Sequence, residues 1–257
     1  MSIPEKIVFI LSTSRTGTKS LAEGLMSNEV YSPHQPPFSR LLTIASNFYL
    51  HGWLQKGRLE WLVRQIRETQ IRRADCRFYV QVFALDHLPA KIISEKHSNV
   101  YIVHIVRDPR TFVPSYLNWM HSRFKSFVAN KFVIGWHPSG VFTGEFSWRE
   151  WRRMDEFQKV CWHWKYKNAL LTHLFENYDK YMRVRFEDLF SGKGEKTLRA
   201  MFAFAGILPA ADFRDMLQTK KNLSLKKRFP SWDHWGSQRR QGLLDICSEG
   251  MKQYGYL

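Results

Sequence analysis

A loop able to bind an anion follows the first apolar run of the chain, Ile7 to Leu11. The loop contains Arg15, Gly17 and Lys19, and a helical spacing of leucines begins directly after it. In a strand–loop–helix unit, the loop N–H groups and the first turn of the helix converge on one point. Their unpaired donors and the helix dipole favour an anion there, usually a phosphate. The sequence therefore predicts a phosphate-binding loop near the start of the chain.

The loop differs from the phosphate-binding loop of nucleoside triphosphatases. That motif has glycine directly before its lysine and another glycine five residues earlier, where this chain has Thr18 and Thr13. The sequence also shows no second strand that ends in a magnesium-binding aspartate, which phosphoryl transfer requires. An ATPase or GTPase is therefore disfavoured, and a small-molecule kinase is kept as an alternative.

A second anion-binding segment begins at Arg107, at the end of the apolar run Tyr101 to Val106. Asp108 and Pro109 then start a helix, since a capping carboxylate followed by proline suits a first turn. Ser115 lies eight residues beyond Arg107. A guanidinium fork matches phosphate oxygens, and a hydroxyl adds a donor. Two anion sites at the carboxyl ends of parallel strands suit a nucleotide that has phosphates at two ends.

The elements that position these segments alternate between strand-like and helix-like patterns. Strands are predicted near 7–11, 29–32, 78–83, 101–106 and 181–186, and helices near 40–50, 59–73, 88–96, 148–176, 196–205, 213–217 and 239–252. Pro114 predicts a kink or restart in the helix after Arg107. The alternation predicts a single α/β domain over 1–257, with a central parallel sheet flanked by helices. Residues 125–147 are predicted to form a long loop within it that could cover an acceptor.

The composition of the chain indicates the charge of its binding partners and the compartment in which the protein works. The 257 residues have a formal net charge of +16 and a pI near 9.9, which favours an anionic partner. Cys76, Cys161 and Cys247 are too few and too widely spaced for a disulfide framework or a thiolate metal site. The sequence has no leader-like start and no apolar run near the roughly 20 residues that span a bilayer. These features predict a soluble, cytoplasmic protein.

The chain resembles the sulfotransferases that use 3′-phosphoadenosine 5′-phosphosulfate (PAPS). The resemblance depends on the order of four segments: Arg15 to Thr18, Arg107 to Arg110, Ser115, and Arg185 to Leu189. In that family the first loop holds the 5′-phosphosulfate, and an arginine with a serine eight residues later holds the 3′-phosphate. The resemblance implies in-line transfer of a sulfuryl group to an acceptor hydroxyl on a glycan, lipid or small metabolite. The product would be adenosine 3′,5′-bisphosphate (PAP), and no metal is expected.

The resemblance also implies which residues bind the cofactor. They are Arg15, Thr16, Gly17, Thr18, Lys19 and Ser20 in the first loop, Arg107 and Ser115 in the second segment, and Lys227 and Arg228 in a late basic run. Two assignments stay open, because the Lys19 side chain could point to solvent and the basic run could be a solvated cluster. Many members have lysine in place of Arg15. Since arginine keeps its proton, we expect Arg15 to stabilise charge on the leaving phosphate.

The acceptor hydroxyl must lose a proton, so a general base is expected near the first loop. His34, after the second strand, is the first candidate, and His87, after the third, is the second. His104 lies inside an apolar strand and is predicted to be a core residue. Glu187 and Asp188 form a carboxylate pair whose expected role is mainly structural.

Two other function classes remain at this point. An ATP-dependent kinase would share the strand, loop and helix but would need Mg²⁺. A nucleic-acid-binding protein would account for the positive charge and could stack bases on tryptophan. The sequence does not identify the acceptor or the oligomeric state.

Overall fold

The computed structural model describes residues 3–122, 135, 137–190, 194–207 and 229–257. Within these residues lies a five-stranded sheet with the order β2-β3-β1-β4-β5, and every strand pair is parallel. The strands are β1 (Lys6–Ser12), β2 (Val30–Tyr31), β3 (Phe78–Val82), β4 (Val100–Val106) and β5 (Tyr181–Arg185). The first strand is therefore central, and β4, which precedes Arg107, is its hydrogen-bonded neighbour.

Helices cover the sheet on both faces, as the alternating pattern predicts. They are α1 (Thr18–Leu25), α2 (Ser39–Leu50), α3 (Lys56–Val63), α4 (Thr69–Arg73), α5 (His87–Lys96), α6 (Pro109–Ser122), α7 (Trp148–Arg153), α8 (Glu156–Phe175), α9 (Phe186–Leu189), α10 (Gly194–Ala205) and α11 (Ser237–Gln253). A π-helical turn, Arg64–Glu68, joins α3 to α4, and a 3₁₀ turn covers Trp232–His234.

Alternation along β1 explains how one strand fills two cores. Val8 and Ile10 pack in a cluster that includes Leu21 of α1 and residues of α10. Phe9 lies in the opposite cluster, which includes Leu171 of α8 and residues of α2, α3 and α5. Successive side chains of a strand point to opposite faces, and a parallel strand covered on both faces is apolar throughout. The buried strand therefore holds its carboxyl end, where the first loop begins, in a rigid position.

The restart that was one of the two outcomes predicted at Pro114 does not occur, because α6 continues through it to Ser122. The kink stays a prediction. Proline removes one intrahelical hydrogen bond and crowds the preceding turn. Around it, Phe112, Val113 and Leu117 are buried against residues of α8 and α11. Burial of this apolar face outweighs the lost bond and keeps the helix continuous.

The single helix predicted over 148–176 is also wrong, since the chain forms α7 and then α8. Met154 is extended, and Asp155 caps the second helix. The Asp155 side chain accepts the Gln158 N–H at 2.7 Å, and the Gln158 side chain accepts the Asp155 N–H at 2.9 Å. This reciprocal capping box satisfies N-terminal donors of a new helix.

The prediction that His104 is a core residue is confirmed. His104 is buried, with its ring nitrogens 2.9 Å from Tyr181 Oη and 3.0 Å from Asn168 Oδ1. The three cysteines are free thiols. Residues 213–217 and most of the predicted loop over 125–147 lie outside the described residues. Among the described helices, none combines the length and apolarity needed to cross a membrane.

Candidate functional site

The first loop has an unusual backbone. Ser14, Arg15 and Gly17 all have positive φ, at 82°, 57° and 70°. Side chains other than glycine adopt this region at a cost, and such residues concentrate at functional sites. A Cβ at Gly17 would collide with the Phe190 ring, so only glycine fits there. The loop conformation therefore needs the glycine that sequence analysis placed in the anion site.

Hydroxyl groups hold the loop in this shape. Thr16 is fully buried, and its Oγ1 donates to Ser12 Oγ at 2.7 Å. Ser12 Oγ also accepts the Ser14 N–H at 3.2 Å. These bonds fix the backbone just before α1, whose unpaired N–H groups begin at Thr18.

The two predicted anion sites lie in contact with each other. Arg15 Nε donates to Ser115 Oγ at 3.2 Å, and Arg107 Nη1 donates to the Arg15 carbonyl oxygen at 2.5 Å. Burial lowers the pKa of Arg107 to about 10, so its guanidinium stays protonated at neutral pH. The contact arises because β1 and β4 are neighbouring parallel strands whose carboxyl ends share one edge of the sheet.

The backbone around Arg107 is held by residues from later elements. The Asp108 N–H donates to Glu187 Oε1 at 3.1 Å, and Tyr256 Oη donates to Glu187 Oε2 at 2.7 Å. Trp164 Nε1 donates to the Arg107 carbonyl oxygen at 2.7 Å. Glu187 therefore joins the second segment to the C-terminus, which agrees with the structural role expected of it.

Both candidate bases contact the first loop or the strand before it. His34 Nε2 lies 3.1 Å from Thr18 Oγ1, and His87 Nε2 lies 3.3 Å from the Ser12 carbonyl oxygen. Burial is the main cause that lowers both pKa values, to about 3 for His87, where the Lys167 charge adds to the effect. Both imidazoles are therefore neutral at pH 7. Because a carbonyl oxygen only accepts, Nε2 of His87 must be the protonated nitrogen.

The remaining predicted residues differ in their settings. The Lys19 side chain is 47% exposed, and its Nζ lies 3.7 Å from Glu23 Oε1 on the same helix. Of the two orientations left open for Lys19, the structure has the one that faces solvent. Ser20 is buried on α1. Lys227 and Arg228 lie outside the described residues.

Sequence analysis missed a buried ion pair between the π-helical turn and the residue before α5. Arg67 Nη2 lies 2.7 Å from Asp86 Oδ2, and both side chains are fully buried. Arg67 Nη2 also donates to Ser39 Oγ at 2.9 Å. Asp86 directly precedes His87, so the pair ties the start of α5 to the start of α2. The sequence contained one signal, the acidic neighbour of His87, but nothing that marked Arg67.

A second missed residue is Lys167 of α8, which is only 2% exposed. A signal for its burial was present, because Trp164 and Leu171 precede and follow it at helical spacing and are both buried. A lysine in such a stripe is normally expected to reach solvent.

This chain is similar to known proteins in its three-dimensional structure but not detectably in its sequence. No family model matches the chain, and no curated protein is significantly similar to it in sequence. A sulfotransferase from Alicyclobacillus acidocaldarius matches with a TM-score of 0.53 and 12% identity, over 98% of this chain and 94% of that one. The mouse sulfotransferase SULT7A1, crystallised with PAP, matches with a TM-score of 0.52 and 15% identity, over 98% and 86%. The chain has the sulfotransferase fold.

A third structure extends the comparison. The sulfotransferase STF9 from Mycobacterium avium matches with a TM-score of 0.54 and 12% identity, over 98% of this chain and 77% of the other. The predicted α/β class with a central parallel sheet is confirmed. The sulfotransferase fold also agrees with the family resemblance drawn from the four segments.

Proposed function

We propose that this protein is a PAPS-dependent sulfotransferase. The observation that supports this most strongly is the contact of Arg107 with the Arg15 carbonyl, across 92 residues of sequence. PAPS has a phosphosulfate at the 5′ position and a phosphate at the 3′ position of one ribose. Two adjacent anion sites at one sheet edge suit such a ligand, and the mouse protein of the same fold was crystallised with PAP.

The loop from Arg15 to Ser20 would bind the 5′-phosphosulfate. Its N–H groups lie at the start of α1, and Thr18 adds a hydroxyl. Arg107 and Ser115 would bind the 3′-phosphate. Ser115 Oγ accepts its bond from Arg15, which leaves the hydroxyl hydrogen available to a phosphate oxygen. A contribution from Lys227 and Arg228 stays a prediction.

The chemistry would be a displacement at sulfur. The acceptor oxygen attacks sulfur while the bond from sulfur to the 5′-phosphate oxygen breaks, and PAP leaves. Arg15 would stabilise the charge that develops on the leaving phosphate. The acceptor proton would pass to a neutral histidine, and His34 is the better placed of the two candidates. Its ring is only partly buried, whereas His87 is buried and donates to the Ser12 carbonyl.

The proposal is tested by transfer from labelled PAPS to a panel of alcohols, phenols and sugars, with products identified by mass. We expect PAP to bind and to inhibit the transfer as a product. Failure of PAP and PAPS to bind the folded protein would refute the proposal. A parallel assay with ATP and Mg²⁺ examines the kinase alternative, and an oligonucleotide competed with PAP examines nucleic-acid binding.

Neither alternative gains support from the described residues. The acceptor class, whether glycan, lipid or small metabolite, remains a prediction. We also infer a cytoplasmic location, since three unpaired thiols suit a reducing compartment.

A further inference from the structure

Lys167 is a buried cation without a counter-ion in the described part of the chain. No described carboxylate lies within ion-pair distance of its Nζ, and its side chain is almost fully buried. Burial alone lowers its pKa to about 7. An isolated charge in an apolar setting is costly unless it is paired, so this position favours either proton loss or an anionic ligand.

Among the described residues, three histidines from three parts of the chain lie near enough to this lysine for its charge to act on them. His87 comes from α5, His137 from the segment before α7, and His163 from α8 itself. The positive charge of Lys167 lowers the pKa of each of them, as burial does. The His137 and His163 rings meet edge to face, with centroids 4.9 Å apart. The cluster is therefore polar, basic and enclosed.

Two nitrogen atoms of this cluster have no hydrogen-bond partner among the residues that the structure describes. They are Nε2 of His163 and Nδ1 of His137, and both are buried. The other nitrogen of His137, Nε2, lies 3.0 Å from Tyr116 Oη. Buried polar atoms normally have partners, so two orphan nitrogens beside an unpaired ammonium indicate a missing ligand.

The cluster adjoins the proposed cofactor site at two points. Tyr116 directly follows Ser115, the residue that bonds Arg15. His87 contacts the carbonyl of Ser12, the last residue of β1 before the loop. A ligand held at Lys167 would therefore lie next to the phosphosulfate and not in bulk solvent.

The chemistry of the cluster favours an oxyanion over the other possible ligands. A metal ion would be repelled by the ammonium, and no set of three His, Cys, Asp or Glu side chains in the described residues is arranged to hold one. Water could satisfy the nitrogens but would not balance the charge. A carboxylate accepts hydrogen bonds from an ammonium and from imidazole N–H groups, and such charge-assisted bonds are the strong ones.

We propose that Lys167, together with His137 and His163, binds a carboxylate of the acceptor, so that the substrate is a hydroxylated acid. This inference rests on the proposed sulfotransferase function, because it takes the bound carboxylate to be part of the acceptor substrate. Lys167 then distinguishes acidic from neutral acceptors, while Arg15 and Arg107 bind the nucleotide.

The test compares acids with their neutral amides. Binding of 4-hydroxybenzoate and 4-hydroxybenzamide, and of 12-hydroxydodecanoate and its amide, is measured by calorimetry with and without saturating PAP. We expect at least one of the two acids to bind the wild-type protein at least about tenfold more tightly than its own amide does, both with and without PAP. Lys167→Met should abolish this preference, and Lys167→Arg should retain part of it. Lys165→Met, a neighbour on the same helix that is partly exposed, should leave the preference intact.

Equal binding of acids and amides by wild type, or no binding of either acid, would overturn the inference without any variant. It would also be overturned if PAP displaced the acid, since the anion site would then belong to the nucleotide. If PAP fails to bind, the proposed function fails, but the comparison without PAP still decides whether Lys167 binds a carboxylate.

Discussion

At the scale of single residues, the guanidinium of Arg107 contacts the first loop and still has donors that could bind a phosphate. It donates to the Arg15 carbonyl at 2.5 Å and to Thr111 Oγ1 at 3.0 Å, and its Cζ lies over the Phe186 ring, 4.4 Å from the ring centre. These contacts use part of its five donors and fix its orientation. The donors that remain suit a phosphate at the same sheet edge.

We expect Arg107→Ala to weaken PAP binding by about tenfold or more, equivalent to roughly 1.4 kcal/mol, because a phosphate fork is lost. Calorimetric titration of the purified variant gives this value. Arg199→Ala is the matched control, since the Arg199 side chain is 65% exposed and pairs with Glu195 on the same helix, α10. An unchanged dissociation constant for Arg107→Ala would show that the 3′-phosphate lies elsewhere.

The acid limb of the rate profile should reveal the general base. Burial is the main cause that lowers the pKa of His34 below its ordinary 6.5, and the charge of Lys19 adds to it. A base works in its neutral form. With a neutral acceptor, whose binding does not depend on the charge of Lys167, kcat/KM should therefore stay level near pH 7 and fall as pH drops through this lowered pKa. The wild-type profile should therefore bend below pH 6.5.

We expect His34→Gln to lower kcat by about 10²-fold or more, which is the usual range for a lost base, and to remove the bend. His173→Gln is a suitable control, because that side chain is 83% exposed. Should His87→Gln remove the bend while His34→Gln keeps it, the base would be His87 and the assignment made here would be wrong.

At the scale of elements, the buried pair Arg67–Asp86 connects three parts of the fold. Arg67 lies on the π-helical turn, Asp86 directly precedes α5, and Ser39 begins α2. The extra residue of a π turn changes which side chains face inward, and such turns often occur at functional sites. The pair therefore fixes the start of α2, which follows His34, relative to the residue that precedes His87.

Asp86→Asn should destabilise the protein by roughly 3–5 kcal/mol, since one partner of a buried ion pair is left as an uncompensated charge. Denaturant unfolding monitored by circular dichroism measures the loss. Glu95→Gln, which removes the partly exposed pair with Lys91, should cost less than about 1 kcal/mol. If the two variants lost similar amounts of unfolding free energy, the charge of Arg67 would have to be compensated by a group other than Asp86.

The elements also show what can be predicted from sequence. The placement of Arg15, Arg107 and Ser115 at one sheet edge could be predicted, because the first two follow apolar runs typical of buried parallel strands. Their role in binding a cofactor stays a prediction. The break at Asp155 was missed because apolar spacing continues across it, although the capping residues Asp155 and Gln158 were a readable signal. The neighbours of Lys167 could not be predicted, because His87 of α5 and His137 of the segment before α7 come near α8 only through tertiary packing.

At the scale of the whole molecule, the chain has 39 basic and 23 acidic residues. Such an excess of positive charge affects the rate at which anionic ligands bind more than it affects the fold. PAP and PAPS have several negative charges, and Arg15 and Arg107 are only part of the positive field they would meet. A field of this sign raises the rate of encounter with an anionic nucleotide. It acts over a Debye length of about 10 Å at 0.1 M salt and about 3 Å at 1 M.

Stopped-flow association of PAP should therefore slow by about tenfold between 0.1 and 1 M potassium chloride, because screening removes the long-range attraction. Adenosine 5′-monophosphate, with fewer charges on the same nucleoside, should show a smaller slope under the same conditions. Equal slopes for the two ligands would mean that only local contacts act on the nucleotide. The net charge would then have to serve another anionic partner, and competition between PAP and an oligonucleotide at low salt would identify whether that partner is a nucleic acid.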